Sequence, residues 1–358
     1  MLTSDRVGKY NPGGLSQAYR KIWLTRVFTL SGLLLALVAT FVIDVLHGPT
    51  SLGLSALIDS LFNPARLTAA ERVILLDVRL PYALMAMVVG GALGLAGAEM
   101  QTALNNPLAS PFTLGIGAAA TLGASLVIVF NVTLYGIDQT FFLPVSAWLM
   151  ASFSALIILS ASRILDTSIQ SVLLFGIALM FGFNALVGMI QFVAEASALQ
   201  QIVFWTMGSL ARADMTKVAI VAAVLAICLT LSLRQASQLT SMRSGEEQAA
   251  SQGINVGRLR LIVLLRVSLL TAAALAFVGE IGFIGLVGPH IARLLLGEDH
   301  RFFLPGSVLT GAVLMSLASV ASKAVIPGII LPVGIVTALI GIPLFLILII
   351  RQSKRGLL

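Results

Sequence analysis

Long apolar stretches separated by short polar ones dominate this sequence. A helix that crosses a bilayer needs about 20 predominantly apolar residues, and stretches close to this length recur from one end of the chain to the other. They are 27–42, 82–102, 112–132, 142–161, 168–193, 218–233, 261–278, 281–296, 304–325 and 333–350. The pattern predicts an all-α polytopic membrane protein with about ten transmembrane helices and one transmembrane domain over residues 1–358.

Composition strengthens this prediction, because hydrophobic residues make up 58% of the chain and charged residues only 10%, against about 25% charged in soluble domains. The net charge of +7 does not indicate nucleic acid, since the basic residues are scattered between apolar stretches and form no basic face. When the N-terminus is placed in the cytoplasm, most of the 22 Lys and Arg residues fall on the cytoplasmic side. Both termini, including a polar segment 1–26, are therefore predicted to be cytoplasmic.

Five predicted spans in each half would make the halves enter the membrane from opposite sides, as in inverted repeats. No sequence similarity between the halves supports this, and the repeat stays a hypothesis. Two segments on the predicted outer side, 51–61 and 199–210, are too short to cross. The second contains Trp205. It suits an interfacial helix or vestibule rim, and a folded external loop is the open alternative.

The longest predicted cytoplasmic loop spans residues 234–260. Between Gly245 and Gly253 it contains strong helix formers, with Glu246 and Glu247 in the first turn and a glycine where the helix would stop. We expect a short surface helix outside the bilayer. Such a helix offers a contact for another protein, although most loops of this kind only connect spans.

Few residues carry candidate chemistry. The chain has no G-x-x-x-x-G-K-[ST] motif, and His47, His290 and His300 lack the spacing of a metal site on one helix. We therefore expect neither a P-loop nor a metal site. Glu99 lies within the second predicted span and Glu280 between the seventh and eighth. Glu99 would line an aqueous path or cap a neighbouring helix, and both alternatives are open.

Several motifs give the chain a family resemblance. They are Arg-Leu-Pro at 79–81, AGAEMQTALNNPLASPFTLGIGAAA at 96–120, FWTMGSL at 204–210, GEEQAASQG from 245, GFIGLVGPHIARLLLGEDHRFFLPG at 282–306 and PVGIVTALIGIPLFLIL from 332. With these motifs the chain resembles, over nearly its whole length, the FecCD-type permease subunits of bacterial ABC importers for iron siderophores, haem and cobalamin. The block at 282–306 is the most specific.

The resemblance implies a permease in the bacterial inner membrane that translocates its substrate by alternating access. Its implied partners are a second permease, identical or paralogous, cytoplasmic ATPase subunits that hold ATP and Mg, and a periplasmic or lipid-anchored binding protein. It implies no cofactor or metal on this chain and no enzymatic activity. A ferric siderophore is the broadest expectation for the cargo, with haem and cobalamin left open.

The resemblance also assigns roles to residues. The ATPase-coupling set is Gly245, Glu246, Glu247, Ala249, Gly253, His290 and Arg293. Arg79 and Lys323 occupy positions that meet acids of the binding protein, a register suited to transient docking. The gate or pathway candidates come from their positions and not from the family motifs: Thr167, Ser168 and Gln170 at the cytoplasmic entry to the fifth span, and the carboxylates Glu99 and Glu280.

The chain departs from the family pattern at four polar positions. Tyr82 stands where a second Arg is frequent, Ser319 where Asp is frequent, Ile330 where Glu is frequent and Asn105 where Arg is frequent. One docking contact is therefore lost or is supplied by another arginine. The candidates are Arg72 and Arg66.

Two other classes of protein compete with the importer subunit. A self-sufficient, proton-coupled secondary transporter would share the spans and would use Glu99 and Glu280. An intramembrane enzyme would need a cluster of nucleophiles or metal ligands, which the sequence does not suggest.

Overall fold

The structure is a computed structural model that describes residues 12–48, 59, 67–132, 139–164 and 169–353. All regular elements in these ranges are helices. Six helical segments are long and apolar enough to cross a membrane. They are α1 (Pro12–Leu46), the segment that ends in α3 (Leu80–Ala103), α6 (Ile169–Val193), α8 (Met215–Arg234), α11 (Val256–Val278) and α13 (His300–Ala324).

Four further helices contain apolar stretches of 10–17 residues. They are α4 (Ile116–Val129), α5 (Gln139–Ile164), α12 (Ile284–Leu296) and α14 (Val333–Ser353). An apolar helix therefore lies at every one of the predicted spans. The all-α fold predicted from the sequence is confirmed.

Short helices connect the apolar ones. They are α2 (Ala69–Arg72), the π-helix π1 (Val73–Arg79), α7 (Ala196–Thr206), α9 (Ala236–Arg243) and α10 (Glu246–Ser251). The predicted loop 234–260 is thus mostly helical, and α11 begins at Val256, earlier than 261. Asn255 caps α11 by accepting a hydrogen bond from the backbone of Arg258 at 2.9 Å, which fixes this earlier start. Of the predicted segment 51–61, only residue 59 is described.

The first helix is longer than the apolar pattern predicts. It begins at Pro12, in the polar segment assigned to residues 1–26. Proline is well tolerated in a first helical turn, and after Gly13 and Gly14 the chain has no glycine or proline up to the apolar stretch. The predicted span and the observed helix differ because hydropathy identifies only the part of a helix that lies in lipid.

Glycines allow the central helices to approach each other closely, as their abundance in the spans predicts. A Cβ on Gly94 would overlap the backbone oxygen of Ser307 in α13, and one on Gly97 would overlap that of Gly285 in α12. Helix α3 is therefore enclosed on several sides, and most of its residues are buried. By contrast, α6 exposes large apolar side chains, including Phe192 at 90%.

A backbone break separates α11 from α12. Gly279 has φ +80° and Phe283 has φ +67°, a region that bulky residues seldom adopt. The ring of Phe283 lies 6.4 Å from that of Phe112. Its side chain also packs against Gly341 in α14, where an added Cβ would lie 2.5 Å from the Cβ of Phe283.

Candidate functional site

Helix α10 has the boundaries that its glycines predict. Gly245 precedes it with φ +128° and Gly253 follows it with φ +80°, conformations that favour glycine. Ala249 is completely buried, whereas Glu247 is exposed. Helix α10 therefore has one side fixed to the protein and an acidic side left free. We refer to the end of the bundle that carries it as the α10 end.

Arg260 of α11 connects α10 to the bundle. Its guanidinium donates hydrogen bonds to the Glu246 carboxylate and to the backbone oxygen of Ala103, at the end of α3, at 3.0 Å. The backbone N–H of Ile254 also donates to the Ala249 oxygen at 3.2 Å. Glu246 is thus an internal anchor of α10, and Glu247 is the acid available to a partner.

Arg243 ties helix α9 to two loops. It donates to Asn105 Oδ1 at 2.6 Å and to Glu298 at 3.1 Å. Asn105 has φ +43°, a conformation that asparagine tolerates better than most residues. An arginine at 105, as in the family pattern, would place two cations together, so this departure suits the local contacts.

Arg293 and His290 belong to α12 and have different environments. Arg293 donates to Gln101 at 2.8 Å, lies 3.6 Å from the Glu298 carboxylate and sits over the ring of Phe303. Glu298 therefore links Arg293 to α9. His290 is buried, and within the described ranges no hydrogen bond joins it to α10.

His300 also joins the helices at the α10 end, and the sequence did not assign it a role. Its Nε2 lies 2.7 Å from Thr102 Oγ1 and its Nδ1 lies 3.1 Å from Thr240 Oγ1. Its ring thus connects α3, α9 and α13. The crowding of polar residues around 290–301 was the available sequence signal.

Glu99 has a partner that the sequence interpretation overlooked. Both its carboxylate oxygens accept hydrogen bonds from Arg266 of α11, one of them at 2.9 Å. Arg266 also donates to Gln235 at 2.8 Å. Glu99 and Arg266 are 0% and 5% exposed, so Arg266 is an intramembrane cation and not a topology signal. The pathway role of Glu99 stays a prediction.

Glu280 lies in the break between α11 and α12. Thr121 of α4 donates to its carboxylate at 3.3 Å, and its backbone N–H donates to the Trp205 oxygen at 3.0 Å. Trp205 in α7 is 2% exposed, so it packs inside the protein. The segment is a helix over Ala196–Thr206, and its position relative to the membrane stays a prediction. Helix α7 supports the break.

Arg79 and Lys323 lie at the end opposite α10, with their cations turned inward. Lys323 donates to Asp44 Oδ1 at 2.8 Å and to the Asp44 backbone oxygen at 2.9 Å. Its side chain is only 4% exposed. Arg79 donates to the backbone oxygens of Val45 and Leu46 at 3.1 and 2.8 Å. In this conformation both cations serve α1, and their docking role stays a prediction.

Two family departures meet at the same place. Ser319 donates to the Asp44 carboxylate at 2.7 Å, and the Tyr82 ring lies 4.4 Å from Lys323 Nζ. Asp44 on α1 therefore places a carboxylate beside position 319, where the resemblance leads to an expected Asp. The third departure, Ile330, is 37% exposed.

The remaining gate candidates are only partly placed. Thr167 and Ser168 lie outside the described residues, and Gln170 belongs to the first turn of α6. Over the described ranges, no group of three His, Cys, Asp or Glu residues is arranged to hold a metal ion.

Comparison with known proteins decides among the candidate classes. A model of the FecCD transport family matches residues 35–351. The chain belongs to this family. FecCD proteins are permease subunits of ABC importers, so this chain is a transport subunit and an integral membrane protein.

Individual relatives support this membership over most of the chain. The hemin transport system permease protein HmuU of Yersinia pestis is 38% identical, covering 78% of this chain and 84% of that protein. The ferric enterobactin transport system permease protein FepD of Escherichia coli is 34% identical, covering 93% and 98%. These FecCD relatives carry different cargoes, so membership alone does not specify the substrate.

A solved structure supports the fold. It is described as a metal-chelate type ABC transporter in an inward-facing conformation, and it is 30% identical to this chain. The match has a TM-score of 0.78 and covers 90% of this chain and 99% of the other. The arrangement of helices described above is therefore that of an ABC importer permease.

Proposed function

We propose that this chain moves a ferric siderophore across the bacterial inner membrane as one of two permease subunits. ATP and Mg bind to separate cytoplasmic ATPase subunits, and a binding protein delivers the cargo from outside. The chain forms a single transmembrane domain that holds no cofactor and has both termini in the cytoplasm. The FepD relationship, over 93% of this chain, supports the cargo.

The anchoring of α10 carries the coupling part of the proposal. Arg260 connects its Glu246 to α11 and α3, while Glu247 remains exposed. A partner that displaces α10 therefore pulls on two membrane helices through one guanidinium. In this proposal the ATPase contacts the Glu247 side of α10 and switches the permease between outward-open and inward-open states.

Haem is the second candidate cargo, because HmuU is 38% identical to this chain. Cobalamin remains the third. The proton-coupled alternative loses support from Glu99, whose carboxylate is occupied by Arg266, and retains only Glu280.

The test is ATP-dependent uptake in proteoliposomes that contain this chain, its ATPase and its binding protein. Radiolabelled ferric siderophore, haem and cobalamin are supplied in turn. Glu247→Arg should reduce co-purification of the ATPase and abolish uptake. Glu195→Arg, the same reversal at an exposed residue of the loop before α7, should leave co-purification unchanged.

Two results would contradict the proposal. Uptake by the chain alone, driven by a proton gradient, would show a secondary transporter. Uptake of haem or cobalamin but not of ferric siderophore would retain the importer and replace its cargo.

A further inference from the structure

A polar groove lies beside α10, on the far side of the turn 252–254 from the Arg260–Glu246 ion pair. It has a volume of about 390 Å³. Its walls come from the junction of α8 and α9, the turn after α10 and the first turns of α11. Gln235, Gln238, Gln252, Asn255 and Arg258 contribute its polar surface. Carboxylates are absent from its lining in the described part of the chain.

Three of these amides have their oxygens engaged by the protein itself. Gln235 Oε1 accepts a hydrogen bond from Arg266 at 2.8 Å. Gln252 Oε1 accepts from Ser241 at 2.7 Å, and Asn255 Oδ1 accepts from a backbone N–H of α11 at 2.9 Å. Each amide therefore offers its NH₂ group to a ligand, and an NH₂ group only donates.

Arg258 adds a guanidinium to this set of donors and is exposed. A surface that combines donors with a cation and carries no carboxylate suits an anion rich in acceptor oxygens. A phosphate group has this chemistry, whereas a metal ion or an amine does not.

The apolar side of the groove indicates which kind of molecule carries the phosphate group. Leu259 and Ile262 line it. One helical turn further along α8 and α11, in the direction of the apolar spans, Leu231 and Leu265 are 43% and 42% exposed. The polar groove thus continues into an exposed apolar surface. A phospholipid has a phosphate group followed by acyl chains, in the same order as the polar groove and the apolar surface. This order favours a membrane lipid over a free anion or an acidic segment of a partner protein.

We propose that this groove binds the phosphate group of an anionic phospholipid, with an acyl chain against Leu231 and Leu265. A lipid held here would contact the junction of α8 and α9 and the start of α11 together. Basic pockets between membrane helices on the cytoplasmic side recognise anionic headgroups in this way. The proposal does not depend on which cargo the permease carries.

The test measures the lipids retained by the full-length chain in nanodiscs made from phosphatidylcholine and phosphatidylglycerol. The parent chain should retain phosphatidylglycerol about fivefold over phosphatidylcholine, the preference expected when one arginine meets an anionic lipid. Arg258→Ala should remove this preference. Arg20→Ala, which removes an exposed cation from α1, should keep it. Gln252→Leu, which leaves the charge unchanged, should weaken it.

Three outcomes would overturn the proposal. A chain without any preference for phosphatidylglycerol would show that the groove holds no lipid. Binding of inorganic phosphate without a lipid preference would assign the groove to a free anion. Arg258→Ala that keeps the lipid preference and loses the ATPase in co-purification would assign it to the partner protein.

Discussion

The buried carboxylate of Asp44 gives the sharpest prediction, because it stands on α1 where the family pattern has an acid on α13. Ser319 and Lys323 both contact it, and they lie four residues apart on α13. An aspartate at 319 would therefore reach the lysine along one face of the same helix. We predict that Asp44→Asn destabilises the protein and that the exchange Asp44→Ser with Ser319→Asp restores it.

The magnitude follows from burial. Asp44 is 0% exposed and the Lys323 side chain only 4%, and removing one partner of a buried ion pair costs about 3–5 kcal/mol. Lys323 would keep the Asp44 backbone oxygen and the Tyr82 ring, so we expect the lower end, about 3 kcal/mol. The exchange restores both charges and should lie within about 1 kcal/mol of the parent, the scale of one hydrogen bond.

The free energy of unfolding can be measured by titration with a denaturing detergent in mixed micelles. Four proteins are compared: the parent, Asp44→Asn, Ser319→Asp and the exchange. Ser319→Asp alone should also destabilise, because it places two carboxylates beside one lysine. Binding of the proposed substrate-binding protein to the same four proteins is measured as well, to test whether Lys323 takes part in docking.

A loss below about 1 kcal/mol for Asp44→Asn would refute the reasoning, since solvent-exposed pairs contribute no more than this. Lys323 would then be accessible, and its assignment to binding-protein docking would gain support. An exchange variant as unstable as Asp44→Asn would show that the position of the carboxylate on α1 is itself required.

Three further predictions concern residues on the α10 side of the bundle. Glu99→Gln and Arg266→Met should each lower the free energy of unfolding by about 3 kcal/mol or more, because each leaves one buried charge without its partner. The double variant Glu99→Leu with Arg266→Met should lose less than the sum of the two single losses and should keep ATP-dependent uptake. Loss of uptake in a stable double variant would instead support the pathway role of Glu99. Gly253→Ala, at φ +80°, should lower the free energy of unfolding by about 1 kcal/mol or more and reduce the coupling of ATP hydrolysis to uptake. Gly257→Ala, in the helical first turn of α11, is the control. Equal effects of the two variants would exclude backbone strain at Gly253 as the cause. Asn105→Arg should lower thermal stability by placing a second cation beside α9, and the effect should shrink at high salt; an unchanged melting temperature would contradict this.

The spans and α10 could be predicted from the sequence because they depend on local patterns. Apolar length marked the membrane helices, and the glycines at 245 and 253 marked both ends of α10. Hydropathy does not identify helices, or parts of helices, that are made of polar residues. For this reason the first fifteen residues of α1 and the helix α9 were not predicted.

The pairing of charged residues could not be predicted, because each pair joins distant parts of the chain. Glu99 and Arg266 are separated by 167 positions, and Asp44 and Lys323 by 279. A single sequence shows which charges are present and not which ones meet. The burial of Trp205 could not be predicted for a similar reason, since it depends on the break before α12, which packs against it.

Contacts near the middle and at the C-terminal end of α1 connect this helix to α13. Arg26 bonds Asp299 before α13, and Lys323 near the other end of α13 bonds Asp44. Two ion pairs some 18 residues apart along α1 connect it to α13, so we expect the two helices to move together. Helices α6 and α14, whose apolar faces are exposed, are then the ones we expect to shift against their surroundings.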